Sequence, residues 1–169
     1  MMMSDNCTSL NPIWTLETGD NGPFRGGRVD VYEGGVRVPC VVRWPRKIPA
    51  GSVCHEMISN IDVLPTVMAA AGIEIPDEPY LDGRDIAATL AGKAKSPHEI
   101  LFFEYHKSSG ARQGRWKIAH TDPKADFELF DLFTDPGEAR DLSAERPKIF
   151  QSLTAEFESW KAQFTPSSR

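Results

Sequence analysis

The sequence has 169 residues, 40% of them hydrophobic and 25% charged, which is typical of a globular protein long enough to bury one core. The formal net charge of -5 argues against a broad surface for nucleic acid or for anionic membranes, and leaves small anions as partners. No apolar stretch approaches the roughly 18 residues of a membrane span, and the first residues lack the features of a secretory signal.

The first half of the chain predicts few regular elements. Residues 1–21 are rich in turn formers, and Ser4 comes too early to leave room for a preceding strand. A β-rich run predicts a strand over 36–44, whose near-continuous apolar second half fits a strand covered on both faces, with Cys40 buried. Helices are predicted over 61–71 and 86–90.

The second half changes to short strands joined by turns of hairpin length. Strands are predicted over 100–105, 115–120 and 127–132, which together indicate a small antiparallel sheet. Apolar and aromatic residues at helical spacing predict a closing amphipathic helix over 147–164. We interpret its aromatic stripe as core packing rather than as a ligand site.

A glycine-rich basic loop over 22–39 is the part of the sequence best suited to bind a ligand. Its glycines permit close backbone approach and positive φ, while Arg25, Arg28 and Arg37 offer guanidinium donors for an oxyanion. The alternative is that the glycines serve tight turns and the arginines are solvated or paired with Asp30 and Glu33. The loop matches neither the dinucleotide fingerprint nor the phosphate-binding loop.

Several sequence blocks, in order, resemble the carboxy-terminal part of the type I sulfatases, the arylsulfatase family with an alkaline-phosphatase-like fold. Ser4-Asp5-Asn6 is similar to the family's Ser-Asp-Asn-Gly strand end, with Cys7 in place of glycine. Residues 24–39 resemble its block Leu-Arg-Gly-Gly-Lys followed by Glu-Gly-Gly-Ile-Arg-Val-Pro. Further similar blocks lie at 42–45, 48–51, 61–66, 113–117, 128–132 and 135–138.

The resemblance implies an incomplete α/β fold, in which the end of a large mixed sheet with flanking helices is followed by a small antiparallel sheet packed on a carboxy-terminal helix. Residues 1–97 are then the carboxy-terminal part of the large domain, and residues 98–169 are the small subdomain. The implied activity is hydrolysis of aryl or carbohydrate sulfate esters beside a bound Ca²⁺, by a formylglycine nucleophile.

The resemblance also assigns site residues. Asp5 and Asn6 take the positions of metal ligands, and their oxygens suit a hard divalent cation. As an isolated dipeptide they would more simply form a turn or a helix cap. Arg28 stands where the family has a lysine that contacts the substrate sulfate, and Arg25 and Arg37 are expected to hold the loop against carboxylates.

Of the four histidines, only His106 lies where the family's small domain approaches the cleft, so it is a candidate substrate contact. Each of the four is otherwise expected to be a surface or satisfied core residue.

The formylglycine signature Cys/Ser-x-Pro-x-Arg is not present at Cys7, Cys40 or Cys54. We therefore expect this chain to be a segment whose nucleophile and remaining metal ligands belong to an amino-terminal region, to be inactive alone, and to expose apolar surface. Relatives in the family are commonly exported or lysosomal, and this sequence does not decide localisation. Two alternatives remain: a non-catalytic anion- or glycan-binding module or decayed fragment, and a phosphatase-superfamily hydrolase of phosphate esters.

Overall fold

The computed structural model describes residues 1–8, 19–75 and 81–164. Two compact units make up the chain: the first comprises residues 1–5 and 39–99, and the second comprises residues 6–38 together with the chain from residue 100 onward. No helix in the described ranges is long and apolar enough to cross a membrane. The domain division predicted at residue 98 stays a prediction.

A pair of short strands opens the first unit. Strand β1 (Met2–Met3) pairs antiparallel with β2 (Cys40–Val41), with Met2 opposite Val41. The prediction that there is no room for a strand ahead of Ser4 is therefore wrong, because two residues suffice for this pairing. The predicted strand over 36–44 is also wrong in extent, since only β2 is extended and paired, and Cys40 is half-buried rather than buried.

The helices of the first unit follow the prediction closely. A 3-10 turn (Asn60–Asp62) leads into α2 (Val63–Ala70), and α3 covers Ala87–Leu90. Asp62, which is fully buried, accepts the Ser59 N–H at 2.8 Å and the Arg84 N–H at 2.9 Å, and it lies 2.7 Å from His98 Nε2. One carboxylate thus ties the start of α2 to the segments before α3 and after it.

The second unit contains a four-stranded antiparallel meander. Its strands are β3 (Leu101–Tyr105), β4 (Ser108–Gln113), β5 (Trp116–His120) and β6 (Glu128–Asp131), paired in chain order. The prediction of a small sheet is confirmed, but β4 was missed because Ser-Ser-Gly-Ala-Arg-Gln lacks β-branched and aromatic residues. Small residues fit there since a Cβ on Gly110 would lie 2.8 Å from the Ile118 carbonyl oxygen.

The sheet packs on both faces. Against one face lies α4 (Pro147–Ala162), which confirms the predicted closing helix, and Leu153 and Phe157 pack there with Ala111, Ile118 and Leu129. The aromatic stripe is core, as predicted, and Trp160 stacks on Phe102 with ring centroids 4.9 Å apart. The opposite face is covered by the glycine-rich loop, which includes the short helix α1 (Glu33–Val36).

Candidate functional site

The glycine-rich loop is anchored to the sheet by a buried stem. Val31 and Tyr32 are 2% and 5% exposed and form one cluster with Ala119, Phe130 and Leu132. Tyr32 meets Phe130 edge to face, with centroids 6.1 Å apart. The loop is therefore a packed part of the second unit, and the exposed residues that precede this stem project from a fixed base.

A buried charge cluster reinforces this anchor. The Lys117 ammonium, on β5, lies 2.9 Å from a carboxylate oxygen of Glu33 and 2.9 Å from one of Glu138, and all three side chains are at most 1% exposed. Glu138 also accepts the Glu33 N–H at 2.6 Å. Burial raises the pKa of the Glu138 carboxyl, and the Lys117 charge opposes that rise.

The glycines of α1 serve the loop's own packing. A Cβ on Gly34 would lie 2.3 Å from the Gly26 carbonyl oxygen, and one on Gly35 would lie 2.1 Å from the Asp30 carbonyl oxygen. Backbone approaches this close exclude any side chain. At these two positions the glycines are in helix α1 rather than in a tight turn, and the close approach they permit is to the loop's own backbone.

Two of the loop's arginines pair with carboxylates, as predicted. Arg25 lies 3.2 Å from Glu128 and donates to the Glu138 carbonyl at 3.1 Å, while its guanidinium sits 3.9 Å from the centre of the Tyr32 ring. The Tyr32 hydroxyl donates to Glu128. Burial and this hydrogen bond raise the pKa of Tyr32. Arg37 lies 3.7 Å from Glu33.

Arg28 occupies the tip of a tight turn and its side chain is exposed. The turn runs from Gly27 to Asp30 and is closed by the Asp30 N–H donating to the Gly27 carbonyl at 2.9 Å. The Arg28 N–H donates to the Thr8 carbonyl at 3.0 Å. Asn21 joins the same segments, because its amide bonds to both Thr8 backbone groups and to the Gly26 carbonyl.

The segment that begins with the candidate metal ligand Asn6 is held against this loop at two points. Besides the Thr8 contact with Arg28, the buried Cys7 thiol donates to the Arg37 carbonyl at 3.2 Å. Burial raises the pKa of the Cys7 thiol, and Glu33 adds to the rise. Cys7 thus remains a protonated packing residue, consistent with its lack of the formylglycine signature.

Asp5 and Asn6 are consecutive residues that belong to different compact units. Asp5 is exposed and follows β1, while Asn6 is half-buried. Across residues 1–8, 19–75 and 81–164, no group of three or more His, Cys, Asp or Glu side chains is arranged to hold a metal ion. The carboxylate and amide oxygens of the pair have the chemistry Ca²⁺ prefers, and they can supply only part of its shell of about six to eight oxygens.

The four histidines occupy different environments. His106 lies in the β3–β4 turn, exposed, at φ 53° and with its ring 4.4 Å from that of Tyr105. His55 is also exposed. His98 pairs with Asp62, whereas the half-buried His120 packs on Phe127 with ring centroids 4.5 Å apart.

The sequence analysis did not find the two buried polar clusters. Glu33 and Lys117 are 84 positions apart, and Asp62 and His98 are 36 apart, so no local spacing indicates either contact. The sequence carries one signal for the Lys117 cluster. In the predicted strand over 115–120, Lys117 stands directly before the apolar residues Ile118 and Ala119, which are core residues in the structure.

Comparisons with known proteins agree on one family. The family model for the N-sulphoglucosamine sulphohydrolase C-terminal region matches residues 25–163. Human steryl-sulfatase is 47% identical over 82% of this chain and 30% of its own length, and human arylsulfatase A is 35% identical over 85% and 37%. The crystal structure of Ps i-CgsB superposes with a TM-score of 0.80 at 27% identity, over 94% of this chain and 35% of that one.

The chain therefore spans about a third of the length of these relatives. The expected fold, an incomplete alkaline-phosphatase-like α/β arrangement ending in a small sheet and helix, is confirmed. On the evidence of the family model and of its sulfatase relatives, the chain belongs to the sulfatase family, the sulfuric ester hydrolases, and corresponds to their carboxy-terminal region.

Proposed function

We propose that this chain is the carboxy-terminal segment of a calcium-dependent sulfatase, and that it contributes one wall of the site at which a sulfate ester is hydrolysed. The observation that carries the proposal is the loop of residues 22–39, which the family match covers from residue 25 and which the second unit holds in a defined shape. The turn that bears Arg28 is hydrogen-bonded to the segment that begins with Asn6. The proposed cation ligand Asn6 and the proposed anion-binding side chain of Arg28 thus belong to hydrogen-bonded stretches of the second unit.

Arg28 is the proposed contact to the substrate sulfate. Its guanidinium can donate two parallel hydrogen bonds to a tetrahedral oxyanion and keeps its charge at any physiological pH. The family's lysine would act as a point charge instead, so an arginine here favours a more fixed orientation of the sulfate. Support comes from the exposure of Arg28 on a turn whose backbone is fixed.

Asp5 and Asn6 are the proposed ligands of Ca²⁺. Two side chains cannot complete the coordination shell of this ion, so the remaining oxygens would come from residues outside this sequence. The bound ion would supply positive charge beside the sulfate, and within this chain Arg28 would add to it. Because these two side chains leave the coordination shell incomplete, the chain alone should bind calcium weakly.

The relatives' names indicate the substrate class, since steryl-sulfatase and arylsulfatase A refer to sterol and aryl sulfates, and N-sulphoglucosamine sulphohydrolase refers to an amino sugar sulphated on nitrogen. Ps i-CgsB, at 27% identity, has been crystallised with k-i-k-neocarrahexaose. We propose a sulfate ester for this chain without choosing between an aryl and a carbohydrate group.

His106, exposed on the β3–β4 turn, is the proposed contact to the part of the substrate beyond the sulfate.

The proposal divides the complete protein into a large domain that includes residues 1–97 and a small subdomain of residues 98–169. It also places the formylglycine nucleophile outside this sequence, because no cysteine or serine here has the required context. An amino-terminal sulfatase region is thus the proposed partner of this chain, and the chain alone should not turn over sulfate esters.

The coding sequence upstream of Met1 separates this proposal from its two alternatives. A Cys/Ser-x-Pro-x-Arg block supports the sulfatase. A serine or threonine nucleophile without that block supports a hydrolase of phosphate esters, and neither feature supports a non-catalytic anion- or glycan-binding module or a decayed fragment.

Enzyme assays with an aryl sulfate provide the functional test. We expect no turnover by the 169-residue chain, and turnover by the complete gene product that is lost with a calcium chelator and falls by about 10²-fold or more in Arg28→Ala. Arg140→Ala is the control and should leave turnover unchanged, because this arginine is exposed and forms a surface ion pair with Glu145. Turnover that persists both with chelator and in Arg28→Ala would refute the assignment.

A further inference from the structure

The turn that carries Arg28 contains a strained residue. Val29 has φ 81° and is 58% exposed. It is the third residue of a turn closed between Gly27 and Asp30, the position at which a type II turn requires positive φ and normally has glycine. A β-branched side chain is strongly disfavoured in this region, so surrounding contacts must hold the backbone there.

Asp30 provides those contacts. Its N–H donates to the Gly27 carbonyl at 2.9 Å, and its carboxylate Oδ2 accepts the Gly27 N–H at 3.1 Å. The carboxylate lies so close to the chain that a Cβ on Gly26 would be 2.8 Å from Oδ2. One residue therefore closes the turn through both its backbone and its side chain, with Gly26, at φ 76°, leaving room for it.

The next residue along the chain anchors the turn to the sheet. Val31, directly after Asp30, is 2% exposed and packs in the cluster that contains Phe130. On the other side, the Arg28 N–H is held by the Thr8 carbonyl. The backbone of Arg28 is thus fixed from three directions although its side chain is exposed, which lowers the entropy cost of presenting the guanidinium to a ligand.

We infer that Asp30 is a positioning residue for Arg28: its carboxylate locks the Gly27–Asp30 turn, holds Val29 at positive φ, and thereby aims the Arg28 guanidinium at the sulfate. This inference rests on the proposed function of Arg28. It assigns to an acidic residue a favourable effect on anion binding, which is opposite to the effect of its charge, because a carboxylate near the site repels an anion.

The positioning effect of Asp30 strengthens sulfate binding and its charge weakens it, so two substitutions of Asp30 can separate the two effects. Inorganic sulfate is titrated into the ¹⁵N-labelled 169-residue chain, and the dissociation constant is obtained from the amide shifts around residue 28. Asp30→Ala removes the charge and the hydrogen-bond acceptor together, and we expect it to weaken sulfate binding by about tenfold. Asp30→Asn removes the charge and keeps an acceptor oxygen, and we expect affinity equal to the parent chain or higher.

A second variant tests the strained residue. Val29→Gly relieves the disfavoured conformation and frees the turn, so the melting temperature should be unchanged or higher while sulfate binding weakens. In the parent chain, a strong intraresidue HN–Hα Overhauser effect at Val29 reports the positive φ. Asp30→Ala should lose that signal and the slow exchange of the Gly27 amide, and the Ile118 amide should stay protected because the sheet is intact.

The outcomes distinguish two failures. If Arg28→Ala abolishes sulfate binding and Asp30→Ala binds as tightly as the parent chain or more tightly, the positioning role is overturned and the proposed role of Arg28 stands. If Arg28→Ala binds sulfate as the parent chain does, the sulfate contact itself is refuted and the inference with it. Weakening in Asp30→Ala with recovery in Asp30→Asn supports the inference.

Discussion

His120 is a half-buried titratable residue that has no role in the proposed site. Its ring packs on Phe127, and its Nδ1 is buried without a hydrogen-bond partner among the described residues. Burial lowers the pKa of His120, the positive charge of Lys161 lowers it further, and Asp122 and Glu104 only partly oppose the shift. The folded protein therefore holds this imidazole neutral at pH values where the unfolded chain protonates it.

This shift predicts a pH dependence of stability. Because the pKa is lower in the folded than in the unfolded state, the contribution of His120 is complete above about pH 6.5 and is lost as the pH falls below that value. We expect His120→Gln to flatten the loss of unfolding free energy between about pH 7 and pH 5.5, measured by urea denaturation. His106→Gln, at an exposed position, is the control and should leave the slope unchanged. An identical slope in the parent chain and His120→Gln would contradict the prediction.

At the scale of elements, the loop and the sheet are joined by Lys117. The ammonium is the shared partner of Glu33, from the loop, and of Glu138, which follows β6. Lys117→Met would leave two buried carboxylates without this cation, although Arg112 and Arg37 remain 3.5 and 3.7 Å from Glu33. Removal of one partner from a buried ion pair costs about 3–5 kcal/mol.

We therefore expect Lys117→Met to lower the unfolding free energy of the second unit by that amount, measured by denaturant unfolding followed at the tryptophans. Lys124→Met, at an exposed position, is the matched control and should change it by less than about 0.5 kcal/mol. A loss in Lys117→Met no larger than the control's would show that the cluster contributes little to stability.

Elements with strong local signals were predicted correctly, and elements defined by long-range contacts were not. The stripe of α4 and the start of α2 at Asp62 are local patterns, and both helices are where they were expected. Strand β4 forms because β3 and β5 pair on either side of it, which its own polar sequence does not indicate. Conversely, the apolar run at 36–44 indicates a longer strand than the two residues that pair with β1.

The features of the candidate site likewise divide into those that the local sequence indicates and those that long-range contacts define. Arg28, Asp5 and Asn6 could be named from ordered sequence blocks, and the pairing of Arg37 with Glu33 follows from charge and sequence proximity. The partner of Arg25, Glu128, lies 103 positions away and no local pattern indicates it. The positive φ of Val29 and the closure of its turn by Asp30 could not, because a valine gives no sign of a left-handed backbone. Both features depend on the burial of Val31 in the core and on the hydrogen bond between the Arg28 N–H and the Thr8 carbonyl.

At the scale of the whole molecule, the exposed apolar side chains agree with the expectation of uncovered surface. Leu64 and Val67 on α2 are each 57% exposed, and Ile61 and Ile73 at the two ends of the helix are 45% and 55% exposed. Large apolar side chains exposed close together along one helix are typical of an interaction site or an aggregation liability. Under the function proposed above, the rest of the sulfatase fold would cover these side chains.

This surface leads to a prediction for the isolated chain. The double substitution Leu64→Lys and Val67→Lys should reduce binding of a hydrophobic dye and shift any oligomer toward monomer in size-exclusion chromatography, because charge replaces exposed apolar area. Stability should change by less than about 0.5 kcal/mol per substitution, since neither side chain is buried. Leu153→Lys, in the core at 1% exposure, is the contrasting variant and should unfold the second unit. A large loss of stability in the double variant, or dye binding equal to that of the parent chain, would mean that this face of α2 is already covered.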